Sequence, residues 1–286
     1  MATLRDIRSR IIGVEKTQKI VSAMKMVAAA KLARAQAAIH AARPYADKLR
    51  EVLASVSAGV DADAHPLFAG RSELRKLDVV LLTSDRGLCG AFNANMIRRA
   101  TALIAEREAE AAAISLIPIG RKGAAHFTKL GCKSPRQWTG LSRATPQTGA
   151  EIAGFLMDRF LEGEADETVL VYGQFHSALR QVPTVEPLLP VRPPESAGET
   201  AARAYEIEPD AEELLGQLVP SAVEFSVFRS LLENEASEHG ARMTAMDSAT
   251  SNTEELVRTL ALQYNKERQA AITAELVEIV GGAEAL

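Results

Sequence analysis

The chain has 286 residues, a formal net charge of −4 and 47% hydrophobic residues, enough for a sizeable core in one large or two ordinary domains. That charge balance argues against a dedicated nucleic-acid binder, which carries a clear basic excess. Aromatics reach only 5%, and the ends are rich in Ala, Glu, Lys, Arg and Leu, a mixture that favours long helices and coiled coils. No apolar run reaches the roughly 18 residues of a membrane span. The first residues hold no apolar signal core, and Cys89 and Cys132 lack metal-ligand spacing. The expectation is a cytoplasmic, bacterial protein with two free thiols.

The N-terminal stretch is the most periodic. Steps of four and three from Ile7 reach Ile11, Val14, Gln18, Val21, Lys25, Ala28, Leu32, Ala35, Ile39, Ala42, Ala46, Leu49, Leu53 and Val56. Only Gln18 and Lys25 break the apolar stripe, so the spacing predicts one helix carrying a coiled-coil seam. Thr3 with Asp6 has the form of a capping box at its start. Gly59 and the segment from Asp61 to Pro66 should end it. Pro44 lies inside the pattern without shifting its phase, which predicts a kinked but continuous helix. At about 1.5 Å per residue such a helix is roughly 80 Å long, more than the diameter of a small domain. Alanines at 28, 35, 42 and 46 permit close approach of a partner helix.

The middle of the chain changes period. Residues 77–84 (LDVVLLTS) form a short apolar run suited to a buried parallel strand. A helix is expected over 93–113, a strand over 114–119, a helix from Gly120 to about Leu130, a helix over 147–162 and a strand over 168–175. This alternation implies a mostly parallel, doubly wound α/β sheet. Residues 182–190 (VPTVEPLLP) suit an edge strand, and 192–204 a loop.

From about Asp210 to Gly282 the chain is again helical, about 105 Å long, with Pro220, Gly216 and Gly240 as weak points. Its expected seam is Leu218, Ala222, Phe225, Ala245, Ala249, Asn252, Leu256 and Leu260. The two ends differ in charge. Residues 1–50 hold eleven Lys or Arg against three acids, and residues 210–286 hold five against fourteen. Such helices can pair antiparallel with opposite charges side by side, and the longer one should leave a mostly apolar C-terminal tip without a partner. An exposed apolar tip is a hazard unless another protein encloses it.

An α/β middle invites a search for chemistry. Asp85–Phe92 (DRGLCGAF) follows the first strand, but Gly87 and Gly90 do not give the G-x-G-x-x-G spacing that cradles a pyrophosphate. Gly120–Gly123 (GRKG) is not a P-loop, so the glycines are expected to make tight strand-to-helix turns. His40, His65, His126, His176 and His239 are scattered. Cys89 at a helix start could be an activated thiol or a packed small side chain. Glu233, Glu235 and Glu238 suggest a solvated helix face, and Met24 and Met26 an ordinary helix interface.

Four stretches in order, spanning nearly the whole chain, resemble the ATP synthase gamma family. They are DIRSR from Asp6 with TQKI from Thr17 and AMKMV from Ala23; SDRGLCG from Ser84 with the glycine turn Gly120–Gly123; SEHGARMTAM from Ser237 with Ala249, Thr250 and Asn252; and YNKERQAAITAELVEIVGGA from Tyr264. The last meets I-T-x-E-x-x-E-x-x-x-G-A through Ile272, Thr273, Glu275, Glu278, Gly282 and Ala283.

The resemblance implies an antiparallel coiled coil of the N- and C-terminal helices with a central Rossmann-like parallel-sheet domain. The expected parts are an N-terminal helix over 1–58, a connector over 59–76, the α/β domain over 77–206 and a C-terminal helix over 207–286. It also implies a non-catalytic rotor without cofactor or metal. The coil would stand inside the hexamer of α and β subunits, and its foot on the membrane c-ring with the epsilon subunit, at the cytoplasmic face of a bacterial inner membrane. By resemblance, Met24 with Lys19 and Lys25 faces the acidic levers of β. Arg268 and Gln269, with Thr273 a turn later, meet the catch loops of β, and Tyr205 lies near the foot. Two rival readings remain: a Rossmann-like enzyme with helical dimerisation arms, and a self-associating coiled-coil scaffold.

Overall fold

The computed structural model describes residues 3–57, 65–71, 74–111, 113–192 and 210–284. It divides into two compact units, one formed by Met1–Ala28 with Met243–Leu286 and the other by Ala29–Arg242. Helices α1 (Leu4–Ser57) and α5 (Ala211–Glu284) contribute to both units, and each is continuous through its internal proline, Pro44 or Pro220. The sequence signals meant to stop α1, Gly59 and residues 61–64, lie outside the described residues, as does most of the 192–204 loop.

The larger unit is built on β1 (Lys76–Leu82), β2 (Ala113–Ile119), β3 (Glu167–Phe175) and β4 (Gln181–Leu189) in the order β2-β1-β3-β4. The first three are parallel and β4 runs antiparallel on the edge, where Pro183 and Pro187 are tolerated. Between the strands come α2 (Phe92–Arg107), α3 (Arg121–Lys129) and α4 (Pro146–Leu161). β1 is buried from Leu77 to Leu82 and splits its side chains between two cores. Leu77, Val79 and Leu81 pack with Phe92, Met96 and Leu103 of α2 and Phe127 of α3. Val80 and Leu82 pack with Ile152, Leu156 and Phe160 of α4, Leu49 and Leu53 of α1, and Val219 and Val223 of α5. The continuous apolar run of β1 is therefore the signature of a strand covered on both faces.

Local signals explain the boundaries. Thr145 caps α4 by accepting from the Thr148 N–H at 3.2 Å, and Pro146 opens its first turn. α2 ends at Arg107 and not near 113, because the N–H groups of Glu110 and Ala111 turn back to the Arg107 carbonyl and Ala113 pairs with Lys76. Sheet pairing there overrides the helix preference of alanine. Gly120 sits at φ 99° and an added Cβ would lie 2.1 Å from the Thr83 carbonyl oxygen, so this turn needs glycine.

Arg159 of α4 makes a deep ion pair that the sequence did not signal. Its Nε lies 2.7 Å and its Nη2 3.0 Å from the carboxylate of Asp78, a β1 residue only 1% exposed. Burial pushes the Asp78 carboxyl up, and the guanidinium opposes that shift.

In the smaller unit α1 and α5 run antiparallel. Gln18 Nε2 donates to Glu254 at 3.2 Å and Lys25 pairs with Asp247, seven residues later on one helix and seven earlier on the other. The capping box forms: the Asp6 carboxylate accepts from the Thr3 N–H at 3.0 Å and Thr3 Oγ1 accepts from the Asp6 N–H at 3.3 Å. Every position of the predicted α1 seam, from Ile7 to Val56, is buried or half-buried, Gln18 and Lys25 included.

The expected C-terminal seam holds at Leu218, Ala222, Phe225, Ala245, Ala249 and Leu260, which are buried or half-buried, and needs correction at two positions. Asn252 and Leu256 are exposed, Leu256 by 45%. The shielded row spaced by four and three runs through Met246, Thr250, Thr253, Val257, Leu260, Tyr264, Glu267 and Ala271, with Ala245, Ala249 and Ala261 half-buried beside it. At 252 and 256 the expected stripe falls one residue before the shielded Thr253 and Val257, drawn at 256 by a large aliphatic side chain.

Candidate partner-contact site

The residues assigned by resemblance to partner contact all belong to the helix-pair unit, except Tyr205, which lies outside the described residues. On α1, Lys19 is exposed and Met24 half-buried. The Lys25 ammonium rests on the Asp247 carboxylate, with the two side chains 44% and 59% exposed. Such a pair contributes at most about 1 kcal/mol and can be exchanged for another carboxylate. Beside them Ile20, Met26 and Val27 are 60%, 65% and 58% exposed. Met26 therefore faces solvent and not the partner helix, contrary to expectation.

On α5, Arg268, Gln269 and Thr273 are all exposed, and Thr273 Oγ1 donates to the Gln269 carbonyl at 2.9 Å. Every described side chain from Ile272 to Val280 is exposed as well. The helix register brings Lys25 beside Asp247, so Arg268 lies about 30 Å further along the pair. The site residues thus fall into two separate patches. One is basic with apolar flanks; the other carries a free guanidinium fork suited to bidentate contact with a carboxylate.

A second feature of this unit was not anticipated. The hydroxyls of Thr17, Ser248, Thr250, Thr253 and Thr259 each donate to the carbonyl four residues earlier, at 2.8–3.2 Å. Their hydroxyl protons are satisfied by their own helix.

In the sheet unit the loops that could cradle a phosphate are occupied by the chain's own side chains. Asp85 Oδ1 accepts from the Arg121 N–H at 2.9 Å, and Thr83 Oγ1 accepts from the Gly123 N–H at 2.9 Å, so the first turn of α3 is capped internally. Cys89 is 2% exposed and contacted by Asn93 Nδ2 at 3.2 Å. Burial pushes its thiol pKa up, opposite to what an activated nucleophile requires. It is the packed small side chain of the two readings.

The acidic trio of α5 also differs from expectation. Glu233, Glu235 and Glu238 are half-buried, not solvated. Glu233 accepts from the Phe175 N–H at 2.8 Å, Glu235 from the Ala144 N–H at 3.0 Å, and Glu238 pairs with Arg242 at 2.7 Å. Burial raises the Glu238 pKa. It lowers that of the neighbouring His239 to about 4, with Arg242 and Lys31 adding charge repulsion. Among the described residues no cluster of His, Cys, Asp or Glu could hold a metal ion. A cleft of about 480 Å³ lies beside this cluster, lined by Lys31, Asp85, Arg121, Arg143 and His239.

The ATP synthase family profile matches residues 3–286. The chain is 49% identical over its full length to the ATP synthase gamma chain of Geotalea daltonii, covering 99% of that protein. It is 48% identical to the gamma chain of an Anaeromyxobacter species, with both chains fully covered. Among solved structures it is similar to a chain of the Euglena gracilis mitochondrial ATP synthase complex of OSCP, F1 and c-ring, with a TM-score of 0.67, 24% identity, and 99% and 94% of the two chains covered. A chain of the Tetrahymena thermophila mitochondrial ATP synthase central stalk and c-ring gives a TM-score of 0.61 at 25% identity, over 80% of this chain and 99% of that one. Long terminal helices, a four-stranded mixed sheet between them and full-length identity near one half converge on one assignment. The chain belongs to the ATP synthase gamma chain family.

Proposed function

We propose that this chain is the central-stalk rotor of a proton-translocating F-type ATP synthase, carrying rotation of a membrane c-ring into the catalytic α and β subunits. The observation that carries the reading is the full-length match to gamma chains at 49% identity. The antiparallel pairing of a basic N-terminal helix with an acidic C-terminal one supports it. The chain itself supplies no catalytic group and no cofactor; chemistry belongs to the β subunits. No helix among the described residues is long and apolar enough to cross a membrane, which fits attachment through partners at the cytoplasmic face of a bacterial inner membrane.

In this reading Lys19, Met24 and Lys25 meet acidic levers of β, and Arg268, Gln269 and Thr273 meet its catch loops. Tyr205 touches the c-ring or the epsilon subunit. A rotor shifts a β subunit between states only if it contacts those states unequally. Two patches about 30 Å apart on one helix pair would allow two such contacts at different heights.

Co-purification from membranes tests the assignment: α and β subunits should accompany the chain, and their absence from the purified complex would overturn it. For the site, Arg268→Glu should lower ATP-driven proton pumping several-fold while leaving the chain folded. Pumping equal to wild type would remove Arg268 from the contact.

A further inference from the structure

In a doubly wound sheet, the natural ligand crevice lies beyond the carboxyl ends of the parallel strands, where successive connections leave for opposite sides. Here β1 connects to β2 on one side and β2 crosses to β3 on the other, so the crevice lies between β1 and β3. Pairing of β1 with β3 stops at Val171, and the backbone of β3 beyond it needs other partners on that side. They come from α5. Asn234 Oδ1 accepts from the Gly173 N–H at 3.1 Å, Ser237 Oγ donates to the Gly173 carbonyl at 2.8 Å, and Glu233 accepts from the Phe175 N–H at 2.8 Å. Asn234 is 6% and Ser237 0% exposed. A Cβ at Gly173 would lie 3.1 Å from that of Ser237 and 2.8 Å from the Phe92 ring, so glycine is what lets the helix come this close.

The same stretch of α5 holds three further segments. Arg229 pairs with Glu186 of β4, which also accepts from the Tyr172 hydroxyl at 2.6 Å. Glu235 holds the Ala144 N–H ahead of α4. Arg242 donates to the Gly87 carbonyl at 3.2 Å, in the turn after β1. Helix-on-sheet packing is ordinarily apolar, and apolar contacts are non-directional. Hydrogen bonds are directional, and bonds from several points of one helix to separate segments oppose both turning and sliding of that helix.

We propose that the sheet domain is a torque grip whose ligand is the chain's own helix: α5 occupies the crevice, and Glu233, Asn234 and Ser237 are positioning residues that lock it against axial twist. The inference rests on the rotor reading above. Rotation applied to the sheet domain enters α5 through these bonds, and the continuous helix carries it onward.

The test uses the intact synthase with its catalytic hexamer immobilised and a rod attached to the sheet domain through Cys132, which is exposed. The width of angular fluctuation at rest reports torsional stiffness. Glu233→Leu combined with Ser237→Ala should raise the angular variance about twofold, since two bonds with buried partners are lost. Glu233→Gln keeps an acceptor and should match wild type, and Ser237→Ala alone should give a smaller rise. If the double variant fails to assemble, Ser237→Ala carries the test, because it removes a single oxygen. Hydrogen exchange at Phe175 shows whether the Glu233 bond has been broken. Wild-type variance in Ser237→Ala, or in the double variant with the Phe175 amide unprotected, would overturn the grip. A wild-type chain that assembles with α and β but does not rotate would instead defeat the rotor reading.

Discussion

The helix-pair unit and the sheet unit are stabilised by different means. In the sheet unit the buried side chains are large and apolar, and the buried charges, such as Asp78 with Arg159, are tied to defined partners. In the helix pair the shielded stripe of α5 includes two threonines, a tyrosine and a glutamate, its inter-helix ion pair is exposed, and most side chains face outward. One unit meets most of its polar needs internally, although among the described residues the buried Thr168 Oγ1 has no hydrogen-bond partner. The other leaves its charges where a neighbour can reach them. Under the proposed rotor function, a surface to be touched and released repeatedly is thus kept apart from a core built of fixed partners.

The comparison is broken most severely by attacking the buried pair. Arg159→Met should strand the Asp78 carboxylate and cost about 3–5 kcal/mol in chemical denaturation; a loss below about 1 kcal/mol would mean that the pair is not buried in solution. The seam of the smaller unit is tested by a matched pair. Leu260→Ala should cost about 2–3 kcal/mol by removing a shielded side chain, while Leu256→Ala, four residues away and 45% exposed, should change stability by no more than about 0.5 kcal/mol. Equal losses would restore the seam expected from hydrophobicity alone.

Acid sharpens the contrast further, with a smaller effect. The His239 Nδ1 lies 3.1 Å from Arg242 Nη1, an arrangement in which the ring must accept and so must be neutral. The folded chain resists protonation of His239 down to about 4, whereas the unfolded chain takes up that proton near the ordinary value of about 6.5. Its contribution is intact above that value and is lost as pH falls from about 6.5 toward 4. The carboxylates facing the ring are Glu235 and, through Arg242, Glu238, and Lys31 adds repulsion. Glu238, whose pKa is raised, works in the opposite sense and offsets part of the loss. His239→Gln should therefore flatten the fall in stability across this interval by about 2 kcal/mol; an unchanged slope would show that the ring is already solvated.

How much was legible in the sequence follows from the same contrast. The α1 stripe could be read because its contacts are aliphatic or alanine, and its two polar members, Gln18 and Lys25, turn out to bond across to α5. The α5 stripe could be read only in part, through positions such as Ala245, Ala249 and Leu260, because Thr250, Thr253 and Glu267 carry no hydrophobic signal and Leu256 and Leu262 lie off the seam. The sheet was legible because uninterrupted apolar runs such as Val79–Leu82 have few alternatives to a doubly covered strand. Glu233, Asn234 and Ser237 were not legible as sheet ligands, since their partners are backbone groups some sixty residues away with no residue-type signature. The proposed contact residues come from family motifs; of them Lys19, Arg268, Gln269 and Thr273 are exposed and Met24 and Lys25 half-buried.

The inward-turned hydroxyls of the helix pair have one more consequence. A side chain whose donor already serves its own backbone offers a passing surface no proton, only acceptor lone pairs and, on threonine, a methyl group whose contacts have shallow, weakly oriented wells. Around Ser248, Thr250, Thr253 and Thr259 the shaft is in effect pre-lubricated. A sleeve moving over it would meet only low ripples, apart from the few charged places where it could be caught.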